Sequence, residues 1–429
     1  CAIGLVVPQV PGHHNGSSLH PARRRVRERP YMDSAAVKAL AKELGADLVG
    51  IASAKTLNAF PPDPRWPQTP DRIAPDCKSV IVIVSRIPVA VFRAKASAAV
   101  QYMDMMVLRR MDIIAHKLAE ALEEDGHPSF VTAAQETDWD LKTASYGRLS
   151  TRHLGIEAGL GTFGLEVNIL TPEFGPRIYL TGILTELELE PDQRITEQVC
   201  IGESCSRCLY SCPTDAVRHF GIDKRACATA AQEFGFMTSL GVFEEMIDTD
   251  DPERGKEIME SRDIYGFWQG LLRVVGSFGD CPRCLAVCPV GNDYHAHLAG
   301  PQKTIPEKTP EKVEKANAFK EARKAGDPIA GLDEWNRRWV GEDGYQGLVA
   351  ALNQNPPDPA RPKRPMDISD YDADRVIVLA KRLSAGTTRL PRWDERHKYY
   401  NDELALTAIE AVSLELVLWL EDRGYPALI

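Results

Sequence analysis

The sequence predicts an α/β protein: a layered domain in the first half of the chain, followed by a module built on cysteines. Three observations predict it. Helical and strand-like patterns alternate between residues 33 and 192. The strand-like segments Leu48-Val49-Gly50-Ile51-Ala52 and Ser79-Val80-Ile81-Val82-Ile83-Val84 are near-continuous apolar runs, as in sheets covered on both faces. Eight of the 10 cysteines lie between residues 200 and 288, seven of them in two phased sets with Cys227 between.

Residues 1–30 are rich in Gly, His, Ser and Pro and are expected to form a disordered tail. Cys1 is read as a clipped or artificial start rather than a lipid-bearing cysteine. The Arg23-Arg24-Arg25-Val26-Arg27 run lacks the apolar core that an export signal needs. A helix is expected from Asp33 or Ser34, with Val37, Leu40, Ala41 and Leu44 on one face and Gly45 as its stop. The two apolar strands follow. Leu108, Met111, Ile114, Leu118 and Leu122 then recur at helical spacing over 107–125, closed by Gly126-His127-Pro128. Ser150 caps a short helix through Ala158, which breaks at Gly159-Leu160-Gly161-Thr162-Phe163-Gly164. A strand at Val167–Leu170, a turn at Thr171–Arg177 and a strand at Ile178–Thr185 complete a domain spanning 31–196. The cysteine module takes 197–300, with a mostly helical insertion between Cys227 and Cys281. Residues 301–365 form a connector rich in Lys, Glu and Pro, and 366–429 an α-rich segment. There Leu416 to Pro426 echoes Leu118 to Pro128, either by chance or as an incomplete second copy of the N-terminal unit.

At 429 residues, 44% hydrophobic and 26% charged, the chain has room for two or three domains of soluble globular type. A net charge of −10 argues against a nucleic-acid partner. No apolar run approaches the ~20 residues that span a bilayer. The expected location is cytoplasmic; a periplasmic or membrane-associated one stays open if an export signal has been removed.

The cysteine sets are Cys200-x4-Cys205-x2-Cys208-x3-Cys212-Pro213 and Cys281-x2-Cys284-x3-Cys288-Pro289, with Cys227 between them. Two adjacent 4Fe-4S clusters explain this phasing. Each needs four thiolates, and the Cys before Pro leaves its own motif to bind the other cluster. Cys200, Cys205, Cys208 and Cys288 would hold one cluster, and Cys212, Cys227, Cys281 and Cys284 the other. Structural zinc also uses paired C-x2-C but not a repeated x3-Cys-Pro ending. Disulfides suit small secreted scaffolds rather than a chain of this size. The departure is the x4 spacing after Cys200, where a bacterial ferredoxin run has x2, so Cys200 is the least secure ligand.

Gly159-x-Gly161-x-x-Gly164 matches a dinucleotide fingerprint in letters but not in context, since a helix precedes it and a strand follows. Glycines that let backbone approach another flat or phosphate-bearing ligand, or a purely structural turn, remain as readings. Arg177, after Phe174-Gly175-Pro176, could clamp an anion, against a plain surface ion pair. Tyr146 could donate a proton or simply pack. Asp138-Trp139-Asp140 reads as a solvated loop pair, and His153 as a hydrogen-bonded helix residue.

Three further pieces stand in order ahead of the cysteines: Ala158-Gly159-Leu160-Gly161-x-x-Gly164, Leu170-Thr171-Pro172-Glu173-Phe174-Gly175-Pro176-Arg177, and Leu184-Thr185-Glu186-Leu187. Together with the cysteines they resemble the corrinoid-dependent, two-cluster iron–sulfur proteins that include reductive dehalogenases and epoxyqueuosine reductases. The resemblance covers about residues 33–300. It implies a nitroreductase-like layered domain holding cobalamin beside a bacterial ferredoxin-like module. Gly159, Gly161, Gly164, Phe174 and Gly175 would then contact the corrinoid. Electrons from a ferredoxin, a flavodoxin or a reductase domain would pass through the clusters to cobalt, which would reduce a small-molecule substrate. Phe174-Gly175-Pro176-Arg177 resembles the dehalogenase branch more closely. Where the queuosine branch carries a catalytic Asp, this segment carries Ser145 and Tyr146.

The expected activity is therefore reductive dehalogenation of a small organohalide, with Tyr146 as proton donor and Arg177 as anion or cofactor clamp. Two alternatives stand: an electron-transfer or accessory protein without corrinoid, and an enzyme like epoxyqueuosine reductase.

Overall fold

In the computed structural model, residues 32–64, 66–94, 97–132, 138, 147–232, 234–273, 281–299, 308–325, 338, 377–381 and 395–429 are described. The first helix, α1 (Ser34–Glu43), starts where Asp33 caps it by accepting from the Ala36 N–H at 2.8 Å. Strand β1 (Leu48–Ser53), the short helix α2 (Ala54–Ala59), strand β2 (Ser79–Arg86), the long helix α3 (Ser97–Glu124) and strand β3 (Ser129–Thr132) follow. Helix α3 begins ten residues earlier than the helical spacing indicated, because its first turns are buried by the second cysteine motif and by the C-terminal helix described below. Helix α4 (Thr151–Glu157) leads into the glycine segment, which folds as a tight hairpin of β4 (Thr162–Phe163) and β5 (Ile169–Leu170), and then into β6 (Ile178–Thr185). The strand expected at Val167 starts two residues later. Val167 has φ of 66° and its N–H returns to the Gly164 carbonyl, so it closes the turn.

The main sheet has the order β1-β2-β6-β3 and every pairing is antiparallel. Its strands are nonetheless apolar on both faces. Val80, Val82 and Val84 of β2 enter one core with Leu154 and Ile156 of α4, and Ile81 and Ile83 enter another with Met111, Leu118 and Leu122 of α3. Strand alternation sends neighbours to opposite faces, so cover on both sides explains the unbroken apolar run without a parallel sheet.

The first of these cores continues into the cysteine module. It includes Cys208, Leu209 and Cys212 of the segment around α5 (Arg207–Ser211), and Val217 of β7 (Val217–Arg218), which pairs with β8 (Gly221–Ile222). Cys227 rides on α6 (Lys224–Ala231), capped by Asp223. Helices α7 (Phe236–Asp248), α8 (Pro252–Met259) and α9 (Arg262–Arg273) lie before the second motif, whose short helix is α10 (Arg283–Ala286). The stretch expected to be connector carries helix α11 (Pro310–Ala325), which packs on α5 together with α10. The C-terminal helix α12 (Glu395–Glu421) lies on α3, with Arg110 to Glu415 at 2.7 Å and Arg109 to Glu410 at 3.1 Å. Both helices of the sequence echo end on a glycine with positive φ, Gly126 at 94° and Gly424 at 82°.

Candidate functional site

The two motifs meet through their short helices α5 and α10. Cys208, Cys212 and Cys288 are buried, and Cys200, Cys205, Cys227, Cys281 and Cys284 half-buried. Burial pushes the Cys227 thiol up to about 11, and its charged neighbours are Cys281, Cys212 and Asp223. Burial likewise raises Cys284, beside Glu166, Cys281, Cys227 and Cys212. Cys208 is raised well above the thiol range by burial, with Glu166, Cys288, Cys284 and Cys200 around it. Cys288 is raised by burial too, beside Glu166, Arg177 and Cys200. Cys227, Cys281, Cys284 and Cys212 are thus neighbours, as are Cys200, Cys208 and Cys288, with Cys208 also beside Cys284. One cleft is lined by Cys200, Cys205, Cys208 and Cys288.

This donor set suits iron–sulfur clusters. Burial disfavours thiolates here, and only an incoming positive centre makes them favourable. Among the described residues no three His, Cys, Asp or Glu side chains form a group placed to hold a single metal ion. Backbone amides already point at sulfur in both groups: Ala216 N–H to Cys212 Sγ at 3.1 Å, and Gly202 N–H to Cys200 Sγ at 3.4 Å.

Sequence reasoning missed Glu166. It lines the same cleft, is 3% exposed, and burial pushes its carboxyl up to about 7. Its Oε1 has no hydrogen-bond partner. The available signal was a carboxylate inside the apolar run Phe163–Leu170, a residue type rarely buried without a specific partner.

Arg177 is not an open anion clamp. It is 0% exposed and its whole fork is spent on the second cysteine motif. Nε and Nη2 donate to the Asp293 carboxylate at 2.7 and 2.6 Å. Nη1 donates to the Leu285 and Cys288 carbonyls, both at 3.0 Å, and Nη2 also to the Val290 carbonyl at 2.6 Å. The turn before it serves the same junction. The Asn292 N–H donates to the Glu173 carbonyl at 2.7 Å, and a Cβ on Gly175 would stand 2.1 Å from the Val290 carbonyl oxygen. Phe174 is half-buried against the core shared with the cysteines.

The glycine segment is corrected in the same way. A Cβ would stand 2.3 Å from the Gln193 carbonyl oxygen at Gly159, 2.2 Å from that of Leu170 at Gly161, and 2.4 Å from a Leu170 methyl at Gly164. The chain's own backbone and side chains fill these positions, so packing accounts for glycine there, and the residues assigned to a corrinoid do not form an open cradle for one. Asp138 is not solvated but fully buried, paired with Arg72 at 3.1 Å. His153 is hydrogen-bonded to Ser150 Oγ at 2.6 Å and set edge-on to Phe163, as a structural histidine. Tyr146 and Ser145 lie outside the described residues.

No protein-family profile matches the sequence. The epoxyqueuosine reductase of Bacillus subtilis is 26% identical over 286 residues, covering 60% of this chain and 64% of that protein. The sequence is thus similar to an epoxyqueuosine reductase over more than half of its length. It spans a little under two thirds of the length of this relative. A tetrachloroethene reductive dehalogenase of Sulfurospirillum multivorans matches far less, at 38% identity over 65 residues, 14% of this chain and 13% of that one. A crystal structure of an epoxyqueuosine reductase with a modified tRNA-Tyr stem loop covers 72% of this chain, with 76% of its own chain covered, at 20% identity and a TM-score of 0.38.

These relatives support a corrinoid and iron–sulfur reductase family, but not the expected lean to its dehalogenase branch. The exclusion of a nucleic-acid partner is overturned, because an epoxyqueuosine reductase, the kind of protein this sequence matches, has been solved with a tRNA stem loop. Net charge was the wrong guide: a −10 total does not describe the local field on one face. Among the described residues, no helix is long and apolar enough to cross a membrane.

Proposed function

We propose that this chain is an iron–sulfur reductase of the epoxyqueuosine reductase type, acting in the cytoplasm on a modified nucleoside within a tRNA stem loop. The observation that carries the reading is the cysteine arrangement, two phased motifs folded against one α/β core, in a chain similar over 60% of its length to an epoxyqueuosine reductase. Cys200, Cys205, Cys208 and Cys288 would hold one 4Fe-4S cluster, and Cys212, Cys227, Cys281 and Cys284 the other. The clusters would supply one-electron transfer. The chain's own residues bury the sulfurs, exclude water from them, and through Arg177 fix Cys288 beside the first motif.

A corrinoid partner rests on the family resemblance alone, since the glycines assigned to it are taken up by packing. That same observation favours the second reading, an electron-transfer protein with both clusters and no corrinoid. Anaerobic reconstitution with iron, sulfide and hydroxocobalamin, followed by metal analysis, separates the two. The expected result is about eight iron and about one cobalt per chain, with reduction of an epoxyqueuosine-bearing stem loop. Eight iron without cobalt or turnover leaves the electron carrier, and zinc in place of iron defeats the cluster reading itself.

A further inference from the structure

The C-terminal helix α12 is fixed to the body along one side and left apolar along the other. Leu414, Val417 and Leu418 enter a core with Val100, Met103 and Met106. The Glu421 carboxylate accepts from the Val89 and Ala90 N–H groups, both at 3.0 Å, while Tyr102 and Arg109 donate to Glu410. These contacts set the rotation of the helix about its own axis. On the side turned away, Ala405, Ala408, Val412, Leu416 and Trp419 recur at intervals of three, four, four and three residues, the spacing of one helix face. None of the five joins that core. Val412 is 58% exposed and Trp419 51%. A surface helix carries polar residues on its outer side, so an apolar stripe there marks a contact that the described residues do not make among themselves.

We propose that this stripe is the interface of a homodimer, in which α12 packs antiparallel against the same helix of a second copy, about a two-fold axis through Val412. The intervals read the same from either end, as a two-fold contact requires. The side-chain sizes select the direction. Antiparallel pairing about Val412 sets Ala405 opposite the partner subunit's Trp419, and Ala408 opposite the partner subunit's Leu416, small against large at each level. Parallel pairing would set tryptophan on tryptophan and alanine on alanine, a clash at one end and a gap at the other. The charges agree with the sizes. Antiparallel packing brings Asp402 and Glu403 toward the end where the partner subunit carries Arg423. Arg423 is held at that end, its guanidinium 3.8 Å from the Trp419 ring centroid and its Nη1 donating to the Trp419 carbonyl at 3.0 Å. A different protein would place no such symmetry on the stripe.

The inference stands apart from the cluster reading, and its test needs no bound iron. The full chain is examined by sedimentation equilibrium over a series of concentrations, and the parent should dimerise. Val412→Glu sets two carboxylates together on the axis and should weaken association by about tenfold or more. Ala408→Glu and Leu416→Lys should each do the same alone. An equimolar mixture of those two variants should recover association, because only antiparallel pairing sets the introduced charges face to face. At dilutions where the parent is itself monomeric, the Val412→Glu and Leu416→Lys variants should keep the parent Tm. A monomeric parent overturns the proposal and leaves the face to another partner. A dimer indifferent to Val412→Glu overturns it by placing the contact elsewhere, and a mixture that stays dissociated overturns the antiparallel pairing. A lower Tm of the variants at those dilutions also overturns it, by showing the stripe folded against its own chain.

Discussion

The two proposed cysteine sites are built from the same local parts and held by different ones. The site of Cys200, Cys205, Cys208 and Cys288 is closed from the α/β domain: Glu166 comes from the β4–β5 turn, and Arg177 from the turn before β6 pins the loop that delivers Cys288. The site of Cys212, Cys227, Cys281 and Cys284 is braced from the C-terminal side, where Lys312 of α11 donates to the Cys212 carbonyl and, with Lys315, pairs Asp215. The difference teaches that the thiols are specified by local spacing, whereas the environment of each site is specified by whichever distant segment covers it. It also predicts that the sites respond unequally to changes outside the motifs.

The largest effect should come from the thiols themselves. Cys208→Ser and Cys227→Ser should each remove about half of the roughly eight iron per chain, and resonance spectra of the two variants should retain complementary signals. Iron that stays at the parent level in either variant breaks the assignment of that cysteine. Next is Arg177→Ala. It leaves the half-buried Asp293 carboxylate and the carbonyls of Leu285, Cys288 and Val290 without the guanidinium, a loss of about 3–5 kcal/mol, readable as a lower Tm and as selective loss of the first cluster. Arg177→Lys keeps a charge but not the fork and should rescue only part of it. The smallest effect is Lys312→Ala, about 1 kcal/mol, with iron content unchanged and any spectral change confined to the second cluster. A change at the first cluster instead would contradict the proposed division between the sites.

Much of this architecture is legible in the sequence where the information is local. The α1 cap at Asp33, the helical spacing from Leu108 to Leu122 and the strand runs at 48–52 and 79–84 all appear as elements close to where their patterns put them. The antiparallel order of the sheet did not follow, because an apolar run reports cover on two faces and not the direction of its neighbour. The glycines and Arg177 were assigned to ligand contact for a related reason. Glycine signals close approach and arginine a waiting acceptor, but neither names the partner. Here the partners are Gln193, Leu170 and Val290 for the glycines, and Leu285 to Asp293 for the arginine.

What the sequence by itself determined is the pair of phased cysteine motifs, since ligands two or three residues apart are positioned by a single turn of backbone. It also determined the alternation of helix and strand, since burial with a period of two or 3.6 residues is written along the chain. Only the tertiary structure decided that Glu166 lines the same cleft as Cys208, 42 positions away in the chain. The same holds for Arg177, spent across 108 to 116 positions on the second motif rather than on a substrate. The physical reason is that a buried polar group is defined by the partner that satisfies it, and such partners come from whatever the fold brings alongside.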